Sequence, residues 1–170
     1  GAEKIFGRTP SSSTFALKPD DFFGTIPKLL KKEGEKIKTG EPLFYSKKDP
    51  RIQFVSPVTG LIQTIQRGAR RKIEKIIISS ASTEEFVKHE VLNWQQFDRD
   101  QIKTILLESG NWPFIHQRPY GTLANPSDTP KAIFVSTHRT SPLSPDFDFI
   151  LKEETTSFQD GIEVLNKLVD

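Results

Sequence analysis

Apolar and polar positions alternate with a period near two from Ile26 to Ser80, in short runs bounded by Gly, Pro or Asp. That pattern predicts strands at Lys28–Leu30, Pro42–Tyr45, Ile52–Val55, Gly60–Gln66 and Glu74–Ser79, with Thr14–Leu17 as an edge strand. Short strands at roughly ten-residue spacing read as a sandwich or barrel. Lys32–Ile37 and Gln66–Ile73 echo one another, each a strand end, a Gly turn and a basic strand start, which suggests two similar β units. The period then changes. Asp98 is a natural N-cap for a helix over Arg99–Ser109, whose Ile102, Ile105, Leu106 and Leu107 form one apolar face before Gly110. Residues 111–130 read as a Pro-rich loop, Ala132–Ser136 as a short buried strand, and Phe158–Val169 as a second amphipathic helix.

The expected organisation is an irregular segment at 1–25, a β domain at 26–80, a linker with helix and aromatic loop at 81–130, and a beginning α/β domain at 131–170. The chain opens Gly-Ala, has no Met and stops soon after the last predicted helix, so it is expected to be a piece of a longer protein.

Charge is unevenly spread. Residues 1–92 carry 17 basic against 11 acidic side chains, and residues 93–170 carry 7 against 11. A basic first half suits an acidic partner, a membrane surface or nucleic acid, although a solvated lysine-rich strand surface accounts for it more simply. The chain has no Cys, which excludes disulfides, a cysteine nucleophile and thiolate-bound clusters. Its three His lack ligand spacing, so no metal site is expected, and no catalytic residue stands out. No apolar run is long enough to span a bilayer, and no signal-peptide pattern opens the chain.

Three stretches carry candidate chemistry. Arg67, Arg70, Arg71 and Lys72 place four cations in six residues on a turn. They suit phosphates, but without interleaved aromatics for base stacking a subunit contact or a salt-bridged turn fits better, and nucleic acid is not expected. Trp112, Phe114, Arg118 and Tyr120 combine aromatic and cationic groups in one stretch, which suits a flat, polar-edged ligand such as a quinone or nucleotide ring. The competing reading is a loop pinned by its own aromatics. The third stretch concerns Lys48. "EGEKIKTGEPLF" and "SPVTGLI" resemble the paired turns of lipoyl/biotinyl domains, in which a hairpin lysine between them is modified. Counting back seven residues from Ser56 reaches Asp49, and a one-residue shift would bring in Lys48. Pro50 would stiffen the tip, so the carrier-like fold is expected to act as a scaffold.

"KDPRIQFVSPVTGLIQTIQRGARRKIEKIII", "LLESGNWPFIHQRPYG", "DTPKAIFVS" and "SPLSPD" together resemble the N-terminal part of the A-subunit family of Na⁺-translocating NADH:quinone reductases. "ALKPDDFFGTIPKLLKKEGEKIKTGEPLFY" is similar to the same family. The resemblance implies an α+β chain: a lipoyl/biotinyl-like β barrel-sandwich hybrid followed by the start of a Rossmann-like α/β domain. It also implies a peripheral, non-redox subunit on the cytoplasm-facing side of a bacterial inner membrane, docked on membrane subunits and contributing to quinone binding. Flavins, iron centres and NADH would belong to partner subunits, with quinone as substrate and no cofactor held by this piece. The family's Gly-rich opening, the rest of the α/β domain and later domains have no counterpart in these residues. Two alternatives accompany this reading: the C subunit of the Rnf electron-transport complex, and a lipoyl- or biotin-like carrier domain.

Overall fold

The computed structural model describes residues 3–8, 11–142 and 144–169. Seven strands build the first unit: β1 (Thr14–Leu17), β2 (Pro27–Leu29), β3 (Lys36–Ile37), β4 (Pro42–Ser46), β5 (Gln53–Val55), β6 (Gly60–Arg67) and β7 (Ile73–Ser80). One sheet runs β1-β7-β6-β3 and the other β2-β4-β5, with every pairing antiparallel. This is the expected barrel-sandwich arrangement.

Alternation explains most of the inward face. Ile76 and Ile78 point into the core from β7, and Ile62 joins them from β6. Strand β4 departs from alternation, since Leu43 and Phe44 are both fully buried. A register shift between Pro42 and Phe44 accounts for this, because an irregularity resets which side a strand presents. Phe44 stacks on Phe54 with ring centroids 4.5 Å apart, and Phe22 meets Phe54 edge-on at 4.6 Å. Burying one such ring contributes about 2–3 kcal/mol over leaving it in water.

The two echoing segments are not equivalent in three dimensions. The Gly34 turn carries the chain from β2 in one sheet to β3 in the other, whereas the Gly68 turn closes the β6–β7 hairpin within one sheet. The "SPVTG" segment locks the sandwich locally: the buried Ser56 donates its hydroxyl to the Val58 carbonyl at 2.6 Å, and its amide to the Glu41 carbonyl at 2.8 Å.

Beyond β7, residues 84–87 stay attached to the barrel. Phe86 forms a parallel bridge with Thr39, and the Thr59 hydroxyl meets both the amide and the carbonyl of Glu85. Helix α1 (Arg99–Glu108) opens with a full capping box: Asp98 accepts from the Gln101 amide at 2.8 Å, and Gln101 accepts from the Asp98 amide at 2.9 Å. It ends at Gly110 in the left-handed region (φ 73°), with Asn111 N–H bonded to Leu106 C=O and Gly110 N–H to Leu107 C=O. Those two bonds are a Schellman stop. Two further helices follow, α2 (Phe147–Ile150) and α3 (Thr155–Asn166). The end of α3 is tied back to α1: Lys167 Nζ donates to the carbonyls of Gln95 and Phe97, Arg99 donates to Val169 C=O, and Leu168 is buried.

Three expectations change on this side of the molecule. The second amphipathic helix begins and ends three residues earlier than its periodicity suggests. Residues 111–130 contain a small hairpin of β8 (His116–Gln117) and β9 (Thr122–Leu123). Ala132–Ser136 is not a buried strand. No backbone hydrogen bond joins it to another strand among the described residues, and Phe134 is 91% exposed. Apolar composition favours a strand, but a strand exists only where a neighbour supplies the other half of each hydrogen bond.

Candidate functional site

The aromatic stretch begins where α1 stops. The Schellman turn at Gly110 aims the chain back at the barrel, and one turn of 3₁₀ helix at Trp112–Phe114 sets the next side chains. Trp112 is buried, 4% exposed, and its indole N–H donates to the Ala124 carbonyl at 2.8 Å. Its ring is therefore part of the core, and its polar edge fastens the far side of the β8–β9 hairpin. Phe114 faces the other way. It is 71% exposed and touches Phe22 edge-on at 6.4 Å, which extends the row Phe44–Phe54–Phe22 from the core to the surface. Arg118 and Tyr120 lie at the exposed tip of the hairpin, on either side of Pro119, whose peptide bond to Arg118 is cis. The structure thus divides the four candidates. Trp112 anchors the loop, while Phe114, Arg118 and Tyr120 present an open aromatic and cationic surface.

The basic turn is exposed along most of its length. Arg70 and Arg71 both adopt left-handed backbone (φ 55° and 61°), which costs a β-carbon-bearing residue energy that glycine avoids. Arg67 donates to the Arg71 carbonyl at 3.4 Å, closing the turn on itself. Lys72 bonds Asp20 at 2.6 Å, so one of the four cations is neutralised across to the Pro19–Asp21 turn. The guanidinium groups of Arg70 and Arg71 meet no carboxylate among the described residues.

Lys48 sits exposed on the β4–β5 hairpin, but the hairpin does not stand free. Asp49 accepts from the Arg51 amide and guanidinium, at 3.0 and 2.6 Å, and Arg51 also donates to Ser127 at 2.8 Å. The hydrogen bond from Arg51 holds the Asp49 carboxyl below the usual carboxylate range, against the opposing pull of partial burial. A carrier lysine works at the end of a protruding arm; here the tip is clamped to the segment that follows β9. Sequence reading had no signal for the Arg51–Ser127 link, since the two residues lie 76 positions apart.

A groove of about 530 Å³ lies elsewhere, along β3, the start of β6 and the residues after β7. Lys36, Lys38, Thr59 and Glu85 line it, and it includes none of the candidate residues. Among the described residues no group of three or more His, Asp or Glu could hold a metal ion, and no helix is long and apolar enough to cross a membrane.

Comparison with known proteins adds two successive matches. Residues 1–81 match the NqrA N-terminal barrel-sandwich hybrid domain, and residues 97–170 match the NqrA second alpha/beta domain. Among individual proteins, the chain is 35% identical over 163 residues to the A subunit of the Na(+)-translocating NADH-quinone reductase of Photorhabdus laumondii, covering 95% of this chain and 36% of that one. It is 33% identical over 171 residues to the corresponding protein of Tolumonas auensis, with 99% and 38% covered. The Serratia proteamaculans protein is 36% identical over 159 residues, with 91% and 35% covered. The chain therefore spans little more than a third of the length of these relatives.

Proposed function

The chain belongs to the NqrA family, and from that premise we propose that it is the N-terminal part of a peripheral, non-redox subunit of a bacterial Na⁺-pumping NADH:quinone oxidoreductase. The observation that carries this reading is the succession of two NqrA domain matches along one chain, over nearly its whole length. Its work is binding. These residues hold no Cys and so no thiolate-ligated cluster, and the reading assigns the flavins, iron centres and NADH oxidation to partner subunits. The protein lies on the cytoplasm-facing side of the inner membrane and docks on the membrane subunits.

Two surfaces divide the task. The turn holding Arg67, Arg70, Arg71 and Lys72 offers cations in a strained, preset shape to an acidic patch on a neighbouring subunit. Phe114, Arg118 and Tyr120 offer an aromatic face and a hydrogen-bond donor to a quinone ring, and Trp112 positions them from below. The clamped β4–β5 hairpin favours this scaffold role over a swinging carrier.

The test is recovery of the protein, tagged at its genomic locus, from gently solubilised membranes. Flavin-bearing partners and Na⁺-stimulated NADH:quinone reductase activity are expected in the eluate. Exchange of Arg70 and Arg71 for Ser should release it from the complex, while exchange of Phe114 and Tyr120 for Ser should raise the KM for quinone in an intact complex. A tagged protein recovered alone and inactive refutes the reading.

A further inference from the structure

One edge of the barrel-sandwich carries apolar side chains that the described residues leave uncovered. Phe23 and Ile26 are each more than half exposed, on the loop that leads from the Pro19–Asp21 turn into β2. Exposure alternates along β2, so Ile26, Lys28 and Leu30 share its outward side. The β4–β5 hairpin lies against this loop: the Lys47 amide donates to the Ile26 carbonyl at 2.8 Å, and a Cβ on Gly24 would stand 3.7 Å from Lys48 Nζ. Phe114 adjoins through Phe22.

The charge that this edge leaves without an ion pair among the described residues is of one sign. Lys28, Lys47 and Lys48 are exposed and make no ion pair among the described residues. The nearby carboxylates are engaged elsewhere, Asp49 with Arg51, Asp20 with Lys72, and Asp21 near Lys18. Protruding Phe and Ile side chains set among unpaired lysines match a bilayer's surface: rings and alkyl groups enter the acyl boundary while ammonium groups stay with anionic headgroups. A protein partner of the usual kind would bring carboxylates to specific cations, whereas these three lysines are long, unpaired and spread around an apolar centre.

We propose that the edge formed by Phe23, Ile26 and Leu30 with Lys28, Lys47 and Lys48 rests on the anionic lipid surface of the membrane. This rests on the reading of the chain as part of a peripheral membrane-complex protein and names the lipid as its second contact. The Lys72–Asp20 pair joins the basic turn to the turn that precedes this loop, so the two surfaces are neighbours in the fold.

The purified chain, with no other protein present, is sedimented with phosphatidylcholine vesicles or with vesicles also containing phosphatidylglycerol. Partition to the anionic vesicles alone is expected, weakening as salt rises. Lys47→Ala and Lys48→Ala should each lower the partition coefficient roughly fivefold, the weight of one cation near such a surface. Phe23→Ser with Ile26→Ser should lower it roughly tenfold, and on vesicles the indole emission of F23W should shift to the blue beyond any shift of the parent, whose Trp94 and Trp112 supply the background. All these side chains are exposed, and an unchanged melting temperature verifies that each variant folds. Absence of partition, or partition that depends on the lysines while F23W emission shifts no more than that of the parent, overturns the proposal. If vesicles fail while the tagged protein still recovers an active complex, the edge meets protein and the family reading stands.

Discussion

Gly110 is where helix geometry and the packing of α1 against the barrel meet, and Gly110→Ala tests both at once. The residue holds φ 73°, and a Cβ there would stand 2.6 and 2.7 Å from the two γ-methyls of Val55 on β5. Left-handed backbone costs an alanine roughly 1–2 kcal/mol, and forcing a methyl into packed side chains costs roughly 1–3 more. The expected loss is about 2–5 kcal/mol, read by urea unfolding, or a fall in Tm of roughly 5–15 °C. Gly121→Ala is the internal control. Gly121 has φ 66° but nothing within 4 Å of an added methyl, so its replacement carries only the backbone part of the cost. Val55→Ala separates the two contributions. If the clash is real, the double variant loses about 1–2 kcal/mol less than the sum of the single losses. A Gly110→Ala protein within about 0.5 kcal/mol of the parent would refute the reasoning, as would single losses that simply add.

The division of the aromatic stretch predicts unequal costs. Trp112→Ala should lose about 3–5 kcal/mol in urea unfolding, while Tyr120→Ser stays within about 0.5 kcal/mol, and equal losses would contradict the assignment of one as anchor and the other as surface. Acid stability should depend on Asp49. Its lowered pKa means its contribution is present above the ordinary carboxylate value and is lost as pH falls through the lowered one. Melting curves of Asp49→Asn between about pH 5 and pH 2 should therefore fall less steeply than those of the parent, and parallel curves would remove the Arg51 clamp from the account.

Much of the architecture was legible because it is local. A period of two, broken by Gly and Pro, marks a strand wherever it occurs, and six of the seven barrel strands emerged at nearly their final positions. Asp98 and Gly110 announced the ends of α1 because capping needs only residues within one turn. The two-residue strand β3 and the β8–β9 hairpin carried no such signal, since each is too short for periodicity and exists only by pairing. The family strings in the sequence led to the same family that the domain matches reach.

By itself, then, the sequence determined which segments can be strand, helix or turn, and where the cations and aromatics of the candidate surfaces stand along the chain. Only the tertiary structure decided which of those side chains face water. Trp112 and Phe114 are two residues apart and chemically alike, yet one is sealed against Ala124 and the other is open. Among the described residues Lys72 is paired and Arg71 meets no carboxylate, because Asp20, from a distant turn, reaches one and not the other. Ala132–Ser136 has the composition of a buried strand and lies largely exposed because no neighbouring strand meets it among the described residues. Backbone preference and periodicity act over a few residues, whereas burial, ion pairing and strand pairing depend on which distant segments the fold brings together.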